Sequence, residues 1–553
     1  MITKSIKHTL NAACRLCCGG AAVLAAAAAL TACADWDDHY DATAGPGSEL
    51  TLWQTMKQQP QLSDFCQVLE QTKVFRQHKK TATSYAQLLD GGQSFTVLAP
   101  VNGTFNRDSL LQLVQTAVGD SAVEQTFVLN HLSRTNVSVL GAESSLNPSL
   151  GFRLANTKLI SIGQNQIGGV AVAEANRRTH NGTLHIIQGS LPYNRNLYEV
   201  LTSQPQFSPL GQFIRSYDED DFDENASLSS GMVDGVPVYV DSVVIERNRF
   251  LEKVALLGAE DSSYVAVVPS IDGWQNAYEE ALQYFVFDET VSKRDSIQQY
   301  WTHRGLMDDA VFSLNMQSSP KDSLVSPQYD RKHPEYHVFY KPYSEGILSH
   351  PTRIFQCSNG TLYETAEWPF TPEQTYFREL KTEGEETALI LDYGYCNYNK
   401  RVFSADSVSE SGYLDIVPAT GTSNWNVMFK LENTLSASYD IYAVVLPKSV
   451  YNPLDPDLRP CKFKAVINYI DEKGQSQTYD CGGTVFQNDP LRVDTIVLAK
   501  GFHFPACNYD QNDIKVSVKI QCSILARETS SYAREMYLDC IYLRPRTSKS
   551  EQQ

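Results

Sequence analysis

The residues of this chain whose types could do chemistry are two histidines, one acidic run and a set of cysteines. His131 and His185 stand in the apolar blocks FVLNHL and NGTLHII. An imidazole with a carboxylate or second imidazole in reach can exchange a proton near neutral pH. Catalysis also needs a nucleophile or carboxylate in reach of them, which the sequence does not show. The run YDEDDFDEN, Tyr217–Asn225, masses carboxylates. It lacks the spacing and central glycine of an EF-hand loop, so it is expected to be a solvated insertion loop. Gly91-Gly92 and Gly482-Gly483 have no phosphate-loop context, and G-x-S-x-G, H-E-x-x-H and dinucleotide fingerprints are absent. The expectation is no enzyme, no cofactor and no metal site.

Cys33 has the most informative surroundings. Lys4, Lys7 and Arg15 precede the apolar run Ala21–Leu30, and no acid occurs before Asp35. A basic start, a short apolar stretch and small residues describe a secretory signal. Ten residues are too few to span a bilayer, which takes about 20. Leu30-Thr31-Ala32-Cys33 resembles the bacterial lipobox. The resemblance implies cleavage before Cys33 and acylation of its thiol and new amino group, palmitate included. Each buried methylene contributes about 0.8 kcal/mol, so several acyl chains anchor firmly. Asp35, Asp37 and Asp38 resemble the signal that sends some lipoproteins to the outer face of the outer membrane. Residues 1–32 are thus expected to be a signal peptide and 33–48 an acidic tether. The expected place is the outer membrane, facing outward.

Cys14, Cys17 and Cys18 leave with the signal, so eight cysteines remain besides Cys33, six of them after residue 390. No C-x-x-C pair or zinc-ligand spacing survives among them. Disulfides and buried thiols both stay open.

These groups sit on a chain of 553 residues, too long for one core. With 42% hydrophobic and 20% charged residues it belongs among ordinary globular proteins. The formal charge is −18, or −21 without residues 1–32. No run of Lys and Arg and no nucleic-acid motif is visible, which argues against nucleic acid as a partner. Neutral glycans and proteins remain.

A repeat organises the first two-thirds. TLWQTMKQQPQLSDF from Thr51 aligns with NLYEVLTSQPQFSPL from Asn196. SFTVLAPVNGTF from Ser94 aligns with SYVAVVPSIDGW from Ser263. Asn181-Gly182-Thr183-Leu184-His185 aligns with Asn359-Gly360-Thr361-Leu362-Tyr363. Three blocks in one order mean two copies of a domain, the second carrying insertions. Leu62, Phe65, Cys66 and Leu69 have the spacing of one helix face, with Ser63 placed to cap it. Asn181-Gly182 predicts a turn between two strands.

FTVLAPVNGTF, FVLNHL and NGTLHIIQGSLPYNRNLYEVL resemble the signature blocks of fasciclin domains. The resemblance covers about residues 49–198 well and 196–380 loosely, so the two domains are expected at 49–195 and 196–384, and it implies that His131 and His185 sit in fold-building blocks, buried and hydrogen-bonded. In the second copy the Asn102 position is lost, YWTHRGL stands for the histidine block and Tyr363 replaces the closing histidine. The resemblance implies α+β adhesion or interaction modules without catalysis.

Residues 385–548 change character. Apolar, β-prone runs recur at Tyr413–Val417, Asn426–Leu431, Tyr439–Leu446, Phe463–Ile470, Arg492–Leu498, Ile514–Ile520 and Tyr537–Leu543. Short strands punctuated by turns predict an all-β, jelly-roll-like sandwich. The fold class is therefore two α+β fasciclin-like domains followed by that sandwich. YLDCIYLRP resembles the last strand of carbohydrate-binding sandwiches. Trp425, Tyr393 and Tyr395 are the candidate binding aromatics, since flat rings serve both glycan and protein interfaces. The expected function is a surface-anchored binding or adhesion protein for an extracellular glycan or a protein partner. The alternative is an accessory subunit of an outer-membrane uptake or adhesion complex with no soluble ligand of its own.

Overall fold

Both repeats are built around a parallel pair of buried strands. In the computed structural model Phe95–Pro100 runs parallel to Gly182–Ile187, with Phe95 opposite Gly182 and Pro100 opposite Ile187. Leu132–Ser133 and Val170–Thr179 flank the pair antiparallel. In the second repeat Tyr264–Pro269 runs parallel to Gly360–Thr365, flanked antiparallel by Val311–Ser313 and Arg353–Cys357. The strand order is the same, which is what the aligned blocks require. The structure describes residues 49–547 apart from 77–78, 137–150, 234–235, 315–321, 330–335, 404, 406, 411 and 512–514. Cys33 and the tether lie outside them. The chain divides into two units at Asn194; the second holds the second repeat together with the sandwich.

In the first unit the helices Leu52–Lys57, Ser63–Gln71 and Tyr85–Leu89 lay Leu52, Met56, Phe65, Val68, Leu69 and Leu89 on the sheet residues Val97 and Leu184. The helix face Leu62, Phe65, Cys66, Leu69 is buried as its spacing predicts. Ser63 is not its cap. Ser63 is the first helical residue, and Asn102 Oδ1 accepts the Asp64 N–H at 3.0 Å while Asn102 Nδ2 donates to Ser63 Oγ at 2.9 Å. The cap arrives from a loop 38 residues away.

The chain turns where expected, from Val170–Thr179 into Gly182–Ile187, and Asn181 does more than turn it. Asn181 Nδ2 donates to Leu89 O at 2.9 Å and Gly91 O at 2.6 Å, and its Oδ1 accepts the Leu52 N–H at 2.7 Å. One carboxamide thereby ties the first helix, the end of another helix and the parallel strand. Asn359 repeats the device with Leu257 O, Ala259 O and the Leu197 N–H. Gly182 and Gly360 have φ of +153° and +148°, and a Cβ there would stand about 2 Å from Phe95 O or Tyr264 O. Only glycine fits so close an approach.

The acidic run is a strand and not a loop. Asp218–Val233 pairs with Val236–Asn248. Asp221 meets Arg247 of the facing strand at 2.8 Å, Glu219 meets Arg249 just past its end at 2.9 Å, and Asp218 accepts from Asn248 Nδ2 at 2.7 Å.

The sandwich has two sheets. One orders Cys396–Val402, Gly412–Pro418, Met536–Pro545, Ser438–Leu446 and Asp494–His503, with Leu380–Glu383 added to the long strand Met536–Pro545. The other orders Ile390–Gly394, Asn426–Lys430, Ser517–Cys522, Lys462–Ile470 and Ser476–Asp480, with Phe486–Gln487 added. The predicted runs are all there except that Ile514 falls outside the described residues. The core between the sheets includes Phe429, Ile441, Phe463, Ile520 and Ile541. It also takes in Phe285, Phe287 and Phe377 from chain that precedes residue 385. Cys507 N–H donates to Val286 O at 2.7 Å and Ser436 N–H to Tyr284 O at 2.9 Å, so the second repeat and the sandwich share one interior.

Candidate binding face

Alternation along the strands sorts the first sheet into two faces. Ile441, Ala443, Leu538 and Ile541 enter the core. Tyr442 and Tyr542 belong to the opposite face, directly across the ladder from one another. Their rings are stacked, with centroids 4.7 Å apart and planes 13° from parallel. The Arg544 guanidinium lies 5.4 Å from one centroid and 5.6 Å from the other. Lys381 is the register partner of Tyr542 on the added strand, and Asp440 that of Arg544. Both tyrosines are half-buried, with a stacked pair held by two strands and one cation. Such a surface offers flat apolar area beside hydrogen-bonding groups, at little conformational cost.

Further along the same face a second pair, Tyr413 and Tyr537, has centroids 4.9 Å apart. Phe403, Ala405, Val408 and Val450 cover it, and burial pushes both phenols up to about 12. The face is therefore closed at one end and open at Tyr442 and Tyr542.

Between the pairs lies a buried carboxyl group. Asp539 is pushed up to about 7 by burial, with Glu383 and Glu385 adding to the rise. Ser409 N–H donates to Asp539 Oδ1 at 3.1 Å and Ser409 Oγ to Glu383 Oε1 at 2.8 Å. Lys381 Nζ donates to Ser409 Oγ at 3.1 Å. These carboxyls have hard-cation donor chemistry. No group of three or more His, Cys, Asp or Glu among the described residues is arranged to hold a metal ion. At the closed end Lys448 bridges Asp457 and Glu535 at 2.8 and 2.7 Å, and Arg459 holds Asp457 at 2.7 Å. That cleft has room for little more than a water molecule, and its charges are matched.

The residues expected from sequence are scattered. Trp425 is 1% exposed, in the sandwich core, with its Nε1–H donating to Arg534 O. It cannot be a binding aromatic. Tyr393 and Tyr395 are 53% and 73% exposed, but they lie where the chain crosses between sheets. Tyr395 has φ of +57°, and Tyr393 packs edge-on against Tyr398. His131 is fully buried, its Nε2 accepting the Leu191 N–H at 2.9 Å and its Nδ1–H donating to Phe127 O at 2.8 Å. His185 is also buried, with Nδ1 accepting the Asn176 N–H at 3.2 Å. Burial lowers both to about 4, so neither carries a proton near neutral pH. His303 takes the place of His131 in the second repeat: its Nδ1 hydrogen-bonds Gln299 O at 2.8 Å and its ring stacks on Phe213. Sequence reading missed Tyr442, Tyr542 and Arg544. Only part of a signal was present: Tyr542 and Arg544 share the last strand, and Tyr442 joins them through the register alone.

No family model and no curated protein matches this sequence. Among solved structures, a FAS1 domain pair from the insect cell adhesion molecule fasciclin I covers 51% of this chain and 90% of that chain, at 14% identity and TM-score 0.18. A CBM22 xylan-binding domain from Paenibacillus barcinonensis covers 30% and 92%, at 13% identity and TM-score 0.21. The CBM22-1–GH10 modules of a Clostridium thermocellum endo-1,4-beta-D-xylanase, complexed with xylohexaose, match over 31% of this chain, at 9% identity and TM-score 0.21. This chain spans 28% of that protein's length. At TM-scores near 0.2 none of these decides the fold, which rests on strand order and register.

Proposed function

We propose that this chain is a cell-surface binding protein. Acylated Cys33 anchors it to the outer membrane, facing outward. The two repeats act as fasciclin-like spacer and interaction modules, and the sandwich binds an extracellular glycan on the Tyr442–Tyr542–Arg544 face. The observation that carries this reading is the stacked, half-exposed tyrosine pair bridged by a guanidinium. Sugar rings present C–H faces to aromatic planes and hydroxyls to charged neighbours, and this face supplies both. Residues 195–553 hold 32 Lys and Arg against 51 Asp and Glu, which favours a neutral glycan over an acidic one.

The test is retention of the full mature chain, with Cys33→Ser to remove acylation, on immobilised neutral polysaccharides. The wild type is expected to be retarded and the Tyr442→Ala/Tyr542→Ala variant to run free. Equal migration of both on every polysaccharide would sink the glycan reading. A second reading, docking onto an outer-membrane protein, draws on the exposed Tyr393 and Tyr395. A stoichiometric partner from native membranes, lost on Tyr393→Ala/Tyr395→Ala and kept in the Tyr442/Tyr542 variant, would favour it.

A further inference from the structure

The charge of the chain is divided. Residues 49–194 carry eleven Lys and Arg against nine Asp and Glu, opposite in sign to the excess of nineteen acids that follows. The basic residues gather on one hairpin, Lys73–Arg76 paired with Lys79–Ser84. Lys73, Arg76, Lys79 and Lys80 fall within eight positions, and no acid occurs between Glu70 and Asp90. The sequence shows no long basic run, yet pairing of the two strands makes a patch.

Two acids face the hairpin, and both are occupied in holding it. Asp120, fully buried, accepts the Lys73 N–H at 3.2 Å and pairs with Lys80 Nζ at 2.7 Å. Glu124, also buried, accepts the Phe75 N–H at 2.8 Å and the Tyr85 O–H at 2.7 Å. The outer charge is left to Arg76 and Lys79, both exposed and directly opposite one another in the ladder. Exposed Arg134 is close enough to Glu124 and Tyr85 to act on both electrostatically. Like charges facing across a ladder oppose pairing, and an anion between them relieves the repulsion.

The patch lies near the tether's entry. Thr51 Oγ1 donates to Asp90 Oδ1 at 2.6 Å, at the end of the helix Tyr85–Leu89. The N-cap of that helix is Ser84, the last hairpin residue. The five-residue helix, from cap to cap, separates the two points by about 9 Å. Residues 34–48 can reach at most about 50 Å from Cys33 when extended.

We propose that this hairpin is a membrane-facing arm in which Arg76 and Lys79 bind phosphate groups of lipid headgroups beside the acyl anchor. The source of the phosphate rests on the anchored reading above; the affinity of the arm does not. Residues 195–553, with their excess of nineteen acids, are repelled by the same surface, so the hairpin is the part of the chain that an anionic membrane attracts.

The experiment uses the full mature chain with Cys33→Ser, sedimented with neutral phosphatidylcholine vesicles or with vesicles containing about a third phosphatidylglycerol. Each basic side chain at an anionic surface is worth about five-fold in partitioning. The wild type is expected to bind the anionic vesicles only, and to be released by high salt. Arg76→Glu/Lys79→Glu is expected to lower that partitioning at least about tenfold while leaving the unfolding midpoint unchanged. Equal binding to both vesicle types, no binding at low salt, or wild-type partitioning by the double variant would overturn the proposal. The anchor is judged separately, by the mass of the mature N-terminus from the native host. An unmodified Cys33 would overturn the membrane as source of the phosphate and leave the vesicle result standing.

Discussion

Tyr442 and Tyr542 come from strands one hundred residues apart and meet ring to ring at 4.7 Å, under the reach of Arg544. Each ring fixes the other, so the platform is set before any ligand arrives. Replacing either tyrosine by alanine is expected to weaken glycan binding at least about tenfold, in line with about 0.5–1.5 kcal/mol for an aromatic pair plus lost area. Tyr542→Phe keeps the plane and should keep most of the affinity. Titration calorimetry with a bound oligosaccharide would check both; equal losses for Phe and Ala would show that the hydroxyl, not the ring, is the contact.

Asn181 and Asn359 predict separable damage. Asn181→Ala strands the Leu89 and Gly91 carbonyls and the Leu52 N–H; Asn359→Ala does the same to Leu257, Ala259 and Leu197. Each buried group left unpaired costs about 1–3 kcal/mol, with partial relief by water. A loss of about 3–5 kcal/mol is expected in each case. In urea unfolding, Asn181→Ala should lower the transition of residues 49–194 and leave the other in place, and Asn359→Ala the reverse.

The reasons some of this was legible and some was not are local. Asn181-Gly182 and Asn359-Gly360 stand out because a carboxamide with three partners and a glycine against a carbonyl tolerate no replacement, so the repeat survives in letters. The strands of the sandwich follow from alternation. The platform does not, because it depends on the register between Ser438–Leu446 and Met536–Pro545, which no local pattern carries. Trp425 sits among Thr, Ser and Asn and resembles a loop aromatic, but its indole closes the core. The acidic run of Tyr217–Asn225 is solvated as expected at Asp218 and Glu219 but looked like a loop, because its strand partner, with Arg247 and then Arg249, lies 26 and 30 residues on from Asp221 and Glu219. Ser63 looked like a cap because Asn102, which takes that role, lies 39 residues on and meets the helix only in the fold.

Acid should loosen the fold through its histidines. His131, His185 and His303 are held down to about 4 by burial, against 6.5 when exposed. The unfolded chain therefore binds more protons between those values. The stability these groups contribute is complete above pH 6.5 and is lost as pH falls toward 4, by several kcal/mol in all. Asp539 works in the opposite sense: raised from 3.8 to about 7, it costs stability as pH rises through that range. Asp539→Asn is expected to raise the melting temperature at pH 8 and to leave it nearly unchanged at pH 4. Melting curves across pH would decide it; a larger effect at pH 4 would contradict the buried-carboxyl assignment.

The sandwich should not survive excision at residue 385. Leu380–Glu383 pairs with Met536–Pro545, and Phe285, Phe287 and Phe377 fill its core. A fragment of residues 385–548 loses all of these and exposes their contacts, at about 1.5–3 kcal/mol for each large side chain. It is expected to aggregate, while residues 195–548 give a soluble, cooperatively melting protein. A monodisperse 385–548 fragment with the melting temperature of the longer one would refute the shared interior. Binding is therefore better mapped with Tyr442 and Tyr542 variants than by deletion.

Cys461 and Cys522 are the remaining test of the export reading. Cys522 ends the strand Ser517–Cys522, opposite Phe463, and Cys461 immediately precedes the neighbouring strand Lys462–Ile470; both are buried in the sandwich core. Interaction between the two thiols draws Cys522 below and pushes Cys461 above the ordinary thiol range, and the Cys522 thiol donates to Asn424 Oδ1 at 3.4 Å. Attack of the Cys522 thiolate on a small disulfide, then of Cys461 on the mixed disulfide, would join the two sulfurs and release two thiols. Closing a loop of about sixty residues stabilises by about 4 kcal/mol on chain-entropy grounds. Protein taken from the cell surface is expected to carry this bridge. Alkylation in denaturant without reductant should leave Cys461 and Cys522 unlabelled, and reduction should lower the melting temperature. Labelling of both cysteines in the denatured, unreduced protein would place the chain in a reducing compartment or keep the pair as free thiols, against the prediction.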